Sequence, residues 1–319
     1  MSHIDFLVGL KQRERATRLY PKVSRLAEGA SLYPHFLALV YLVFGVGSDP
    51  VFLLQLGLSL LNVWLVHRLA LGLWESRPPS PHAALLAAAL FAFYGPGVFY
   101  AGTLLMAVVT TTLVLLAALQ AVRAVQTPTP AGWFKLGLLV GLAGLSRGNA
   151  LLLLATLPIL LWKAVPSNVG RWRNVGFLVL GGALVLAPVT ARTLIVARDF
   201  TILTSHGGVN LYIGQKADFQ GLFAPVMDEA QAEDDHSMED TLEREAGRDL
   251  KGSEVSRILT RRAVDLFVED LSRMPAHYLR KAYRYWNGYE LPQIVSFDYW
   301  RTRYTALLLL PVPYVLRSA

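Results

Sequence analysis

Arg147 stands in the middle of a long apolar run, Trp133–Trp162, inside the tetrad Ser146-Arg147-Gly148-Asn149. A guanidinium at the centre of a hydrocarbon layer costs about 2.5–3.5 kcal/mol on insertion scales, unless it pairs or reaches the interface. Its forked donors match the oxygens of a phosphate group. Arg147 therefore has two readings: a clamp for an anionic lipid phosphate, or a cap on the carbonyls of Leu142–Leu145 that reaches interfacial water. Arg192 near the end of the run Val175–Val196 has the same two readings, phosphate contact or snorkelling to the surface. Directly after that run, Thr204–Gly214 combines the pair Gly207-Gly208 with His206, Asn210 and Tyr212. Adjacent glycines let a backbone approach a ligand closely, and those neighbours offer hydrogen-bonding groups suited to a sugar; a plain turn is the competing reading. Tyr33-Pro34-His35 supplies two more polar side chains, with His35 also readable as an interfacial histidine.

Apolar segments must position these groups. Of the 319 residues 54% are apolar and 17% charged, against about 25% charged in a soluble domain. Six apolar regions precede residue 200. Leu32–Gly47 is short enough to lie at the interface or re-enter. Val51–Val66, continuing to Trp74, spans. Ala83–Phe93 ends where Tyr94-Gly95-Pro96-Gly97 breaks the helix. Thr103–Val122 spans. Trp133–Trp162, interrupted at Arg147, reads as two short helices meeting at a turn, and Val175–Val196 as a further span carrying Pro188. The expected fold is an all-α polytopic membrane protein of roughly seven to eight membrane-embedded helices, plus a helical extracytoplasmic segment.

Charges orient it. Arg68 and Arg77, then Arg123 and Lys135, then Lys163, Arg171 and Arg173 lie in alternate connections, whereas Gly95–Gly102 carries none. Basic short loops stay in the cytoplasm, so Gly95–Gly102 and Arg147 face outward. The expected divisions are a polar N-terminal segment 1–31, a transmembrane helical domain 32–197, an extracytoplasmic helical segment 198–303 and a C-terminal membrane helix 304–319. Met1–Arg18 is charged and polar, without the apolar core of a signal peptide.

Within the outer segment Ser237 caps a helix whose first turn holds Glu239 and Asp240. Gly252 ends that helix and Ser253 caps the next, in which Val255, Ile258, Leu259, Leu266 and Phe267 keep helical spacing. Met274-Pro275 closes it, and His277–Tyr289 makes a third helix, aromatic and basic. The carboxylates crowding Asp228–Glu254 read as a solvated face.

Other chemistries are disfavoured. The net charge of +7 comes without a basic stripe interleaved with aromatics, which argues against nucleic acid as a partner. There is no cysteine, no His-Glu-x-x-His, no phosphate-binding Walker loop and no Gly-x-Ser-x-Gly elbow. The spans hold almost no carboxylate, which argues against ion-coupled transport.

Read in order, five segments resemble the bacterial GT-C membrane glycosyltransferases, the group related to dolichyl-phosphate-mannose–protein mannosyltransferases. Leu32-Tyr33-Pro34-His35-Phe36-Leu37-Ala38-Leu39-Val40-Tyr41 with Phe44-Gly45 is similar to that family's Pro-Leu-Tyr-Pro stretch. Phe99-Tyr100-Ala101-Gly102-Thr103-Leu104-Leu105-Met106 resembles its next outer turn. Gly141-Leu142-Ala143-Gly144-Leu145-Ser146-Arg147-Gly148-Asn149 is similar to its Gly-Leu-Ala…Arg-Pro-Asn turn, with Gly148 in place of proline. The stretch ending at Gly214 resembles its Gly-Leu-Asn-x-Tyr-Ile-Gly-Asn motif, with Gln215 for the last asparagine. Tyr289-Glu290-Leu291-Pro292 resembles its Tyr-Glu-Ile-Pro. The likeness runs from about Leu32 to Pro313.

What the resemblance implies is an inverting transferase that takes sugar from a polyprenyl-phosphate donor in the cell (inner) membrane and delivers it to a glycan, lipid or protein acceptor outside. A carboxylate acts as base on the acceptor, and cations stabilise the departing phosphate. On that pattern Arg147 and Arg192 contact the donor phosphate, while Tyr33, His35, His206, Asn210 and Tyr212 line the substrate site. Members of the family carry an upstream span, and an outer loop with the essential acid; the resemblance thus implies a chain truncated at both ends. Of Asp5, Glu14 and Glu28, the carboxylates before Ser31, Glu28 lies closest to the Tyr-Pro stretch and is the candidate base. No cofactor is implied with certainty, and a divalent cation stays open. The competing class is a non-catalytic membrane protein, a lipid-carrier transporter or a degenerate scaffold.

Overall fold

The computed structural model describes residues 32–73, 80–164, 168–196, 199–200, 206–215 and 237–286. Among these every regular element is helical. They divide into two compact units, one of Ser31–Pro188 together with the described residues 282–286, the other within Val189–Lys281.

The first unit opens with α1 (Leu32–Phe44), ended by Gly45 at φ +82°. That conformation suits a residue without a Cβ. After three residues α2 (Ser48–Gly72) begins, with Asp49 in its first turn where the helix dipole favours a carboxylate. At 1.5 Å per residue α2 is roughly 37 Å long, enough to cross a hydrocarbon core. α3 (Pro81–Ala92) and α4 (Gly95–Ala101) each place proline in the first turn, where its missing N–H costs nothing, and they meet at a 56° bend. α5 (Ala107–Gln126) starts later than the apolar run at Thr103, because residues 103–106 form turns. Its three adjacent threonines return their hydroxyls to the carbonyls of Met106, Ala107 and Val108 at 2.8–2.9 Å, so no hydroxyl is left bare in an apolar helix.

α6 (Pro130–Ser146) is capped by Thr129, whose hydroxyl accepts from the Gly132 N–H at 3.1 Å. A 3-10 turn (Gly148–Leu151) separates it from α7 (Leu152–Ala164). The expected pair of short helices broken at Arg147 is what forms. α8 (Asn168–Val196) follows, with Pro188 inside it.

Glycines set the closest helix crossing of this unit. A Cβ on Gly137 would run into the Leu178 carbonyl, one on Gly181 into the Phe134 carbonyl, and one on Gly141 into Val185. α6 and α8 therefore touch backbone to backbone, the small-residue packing by which apolar helices associate in lipid. Around that seam Trp133, Leu136, Val140 and Leu178 are fully buried, with Ala117 and Ala124 of α5 and Leu157 of α7.

The expected count of seven to eight membrane-embedded helices needs correcting. Among the described residues three helices are long and apolar enough to cross a membrane, within Ser48–Gly72, Ala107–Gln126 and Gly170–Ile195. The bent pair α3–α4 makes a fourth if it counts as one broken span. α1, α6 and α7 are apolar but hold only 13, 17 and 13 residues, short of the ~20 that a bilayer core asks for. Leu53, Leu56, Leu60 and Trp64 along α2, and Leu86 and Leu90 on α3, stay exposed, as lipid-facing side chains would.

In the second unit α9 (His206–Gln215) packs on α11 (Gly252–Glu269), with α10 (Ser237–Ala246) beside them in the chain; α12 (Met274–Trp286) follows, and only its residues up to Lys281 belong to this unit. Leu242, Leu250, Val255 and Leu259 form its core. Two expected boundaries shift. Gly247, at φ +66°, terminates α10 in place of Gly252, which instead opens α11. Lys251 occupies the N-cap expected for Ser253, and the Glu254 carboxylate reaches back to the Lys251 N–H at 3.0 Å.

Candidate functional site

Where the first unit gathers polar groups, Gln55 is the centre. Its side chain is fully buried in a helix long enough to span. It accepts from the Tyr33 hydroxyl at 2.8 Å and donates to the carbonyls of Ala101 at 2.9 Å and Thr103 at 2.8 Å. Both carbonyls lie where α4 ends and turns lead to α5, outside the regular helical bonding pattern, and that of Thr103 also accepts from the Leu105 N–H at 2.8 Å. One glutamine thus ties α1, α2 and the α4–α5 connection together. Tyr33 also stacks on Phe36, with ring centres 5.9 Å apart. Neither Gln55 nor its bonds were legible as site features, although a glutamine within an apolar span is itself the signal.

A second tie lies between α5 and α6. The hydroxyls of Thr110 and buried Ser146 are 2.5 Å apart, which fixes the last residue of α6 against the first turn of α5. Arg147 follows at once. Its backbone is extended, its N–H still bonds the Ala143 carbonyl at 2.7 Å, and its carbonyl accepts from Ala150 at 2.9 Å. The break therefore holds the main chain rigidly on both sides while the side chain is exposed. Among the described residues no acceptor or carboxylate engages the guanidinium. Leu151 packs where a Cβ on Gly144 would stand, which closes the 3-10 turn back onto α6. α1, with Tyr33 and exposed His35, packs against α2 and α6.

In the second unit Arg192 is exposed near the end of α8, beside buried Thr193, whose hydroxyl returns to the Val189 carbonyl at 3.0 Å. The stretch expected as a glycine-rich turn is the helix α9. Gly208 is there for tertiary contact, since a Cβ would strike the backbone of Ser256, and its N–H donates to the Ser256 hydroxyl at 3.0 Å. Asn210 is exposed, whereas Tyr212 packs against the core of Leu242, Val255 and Leu259. Two residues apart on a helix, they fall on opposite sides and do not line one pocket. His206 is the first residue of α9. Glu28, the candidate base, and Tyr289–Pro292 lie outside the described residues.

Other polar contacts in this unit hold its helices. The buried Asp199 carboxylate accepts from the N–H of Ser253 at 2.8 Å and from its hydroxyl, which caps the first turn of α11. At the far end of α9 the Gly214 carbonyl receives both His277, at 3.0 Å, and the Lys281 ammonium, while Gln215 donates to the Tyr278 hydroxyl at 2.7 Å. Burial pushes the Lys281 ammonium below its ordinary pKa. Among the described residues no group of three or more His, Asp or Glu side chains is arranged to hold a metal ion.

A family model described as dolichyl-phosphate-mannose-protein mannosyltransferase matches residues 29–193, just over half of the chain. The chain belongs to this family. It is accordingly a member of a family of membrane glycosyltransferases. No curated protein matches this chain, and no solved structure does. The matched stretch contains Tyr33, His35, Arg147 and Arg192, and it stops short of α9 with His206, Asn210 and Tyr212.

Proposed function

We propose that this protein transfers a sugar from a polyprenyl-phosphate-linked donor to an extracytoplasmic acceptor, with inversion at the anomeric carbon, and that Arg147 binds the donor phosphate. The observation that carries the reading is the setting of Arg147: an exposed cation at a rigid break in an apolar helix, inside the stretch matched by a glycosyltransferase family. A lipid donor presents its phosphate at the membrane boundary. A guanidinium held there can pair with it bidentately and stabilise the oxyanion as the glycosidic bond breaks. Stabilisation of that kind contributes several kcal/mol of barrier lowering, about 2.7–4 for a single well-placed donor.

Basic connections Arg68–Arg77 and Arg123–Lys135 assign their side to the cytoplasm, so the Arg147 break belongs outside. On this reading the cell membrane holds residues 32–197, segment 198–303 is extracytoplasmic, and 304–319 returns to the membrane. Arg192 is offered as a second phosphate contact, His35, His206 and Asn210 as contacts to the sugar or acceptor, and Glu28 as the base. General-base help is worth roughly 10²–10⁴-fold, so replacing Glu28 by Gln leaves donor binding while depressing turnover. The acceptor is a glycan, lipid or protein.

The test is release of free polyprenyl phosphate from a panel of polyprenyl-phosphate sugars by the protein in proteoliposomes. Release that vanishes in Arg147→Ala supports the proposal. Donor binding without release from any member of the panel favours the non-catalytic class instead, and absence of binding removes the donor site altogether.

A further inference from the structure

We infer that α12 is a membrane-surface helix, which seats its exposed apolar face in the headgroup region of a bilayer and holds anionic headgroups beside it.

The helix reads Met274-Pro275-Ala276-His277-Tyr278-Leu279-Arg280-Lys281-Ala282-Tyr283-Arg284-Tyr285-Trp286, with three Arg or Lys residues, one His and no carboxylate. One side is already engaged. Met274 is buried, and His277, Tyr278 and Lys281 bond to Gly214 and Gln215 at the end of α9. The other side carries Leu279, 71% exposed, Tyr283, 52%, and Trp286, 65%. At spacings of four and three residues these form a single stripe along the helix. Arg280 is exposed at its flank.

A stripe of leucine, tyrosine and tryptophan facing outward implies an occupant, and its chemistry selects lipid. Tryptophan and tyrosine favour the level of the headgroups, where the ring is apolar and the N–H or O–H stays wet. A helix with cations and no acid is the form that binds anionic bilayers in their plane. A second copy of this face would set Arg280 against a like charge, with no carboxylate in the helix to compensate. The inference does not depend on which sugar, if any, the protein transfers.

The experiment uses the absence of cysteine from the whole chain. Single substitutions Leu279→Cys, Tyr283→Cys and Trp286→Cys are spin-labelled in the full protein, with Arg257→Cys on the exposed face of α11 as an aqueous reference. Collision of each label with oxygen and with a water-soluble nickel chelate is compared in nanodiscs of phosphatidylcholine and in nanodiscs that also contain phosphatidylglycerol. The three α12 labels are expected to shift to high oxygen and low nickel access when phosphatidylglycerol is present, and Arg257→Cys to stay open to nickel. Adding Arg280→Gln should shift the α12 labels back toward nickel. Nickel access at all three sites in the anionic bilayer would overturn the proposal, as would spin–spin coupling between two copies at Leu279→Cys. Immersion that is the same in both lipids would overturn the assignment to anionic headgroups.

Discussion

Gln55→Leu removes a side chain that joins α1, α2 and the α4–α5 connection. Leucine is close in size and suits the apolar surroundings, so the change acts chiefly through three lost hydrogen bonds, to Tyr33, Ala101 and Thr103. Hydrogen bonds between helices in membrane proteins average about 0.6 kcal/mol each and reach about 1.7. Three of them give a loss of roughly 2 kcal/mol, with a ceiling near 5. Tyr33→Phe removes only the first and should cost about a third as much. In the double variant Tyr33→Phe adds almost nothing, because its partner is already gone, so the cycle returns the energy of that one bond. Unfolding of the purified protein in mixed micelles with a denaturing detergent, followed by tryptophan fluorescence, measures all three. A Gln55→Leu protein as stable as the parent, or strictly additive losses, would refute the role assigned to this glutamine.

Gly137→Val should destabilise by at least the 1–3 kcal/mol typical of overpacking, since the clash is with the Leu178 and Gly182 backbone rather than with a movable side chain. Gly176→Ala, where nothing lies within 4 Å, should be neutral in the same melt. Gly208→Ala should part α9 from α11 and raise amide exchange in both, whereas Gly207→Ala, in open space, should not. Acid should weaken the second unit through Glu254. Arg248 hydrogen-bonds its carboxylate and the Lys251 N–H adds to it, holding the pKa at about 2 against an ordinary 4.5. The group binds its proton more readily unfolded, so its contribution is full above pH 4.5 and fades as pH falls toward about 2. Glu254→Gln should flatten that limb in unfolding curves taken across this range.

Local chemistry was legible in the sequence wherever it determined the backbone. The break at Arg147 and Gly148 and the bend at Tyr94–Gly97 both follow from residues that interrupt an apolar run, and both occur. Tertiary purposes were not legible. Gly207-Gly208 suggested freedom of the main chain, yet Gly208 sits in a helix and is small because Ser256 presses on it. Gly247 and Gly252 were indistinguishable as helix stops, and the positive φ fell to Gly247. The number of spans was overestimated because apolar composition marks α1, α6 and α7 as membrane-like without showing that each holds fewer residues than a full-length span. Tyr33 was read as a ligand group from its motif; the hydrogen bond from its hydroxyl to Gln55 was not legible there.

The account rests on Arg147 meeting the donor's phosphate rather than its lipid tail or sugar. The direct test compares binding of a polyprenyl phosphate and of the matching uncharged polyprenol, in the parent protein and in Arg147→Ala. A charge-assisted hydrogen bond is worth about 1.5–3 kcal/mol, or roughly 10- to 150-fold in affinity. The parent should prefer the phosphate, Arg147→Ala should lose about that much of the preference, and binding of the polyprenol should be unchanged. A preference for phosphate that survives intact in Arg147→Ala would contradict the account.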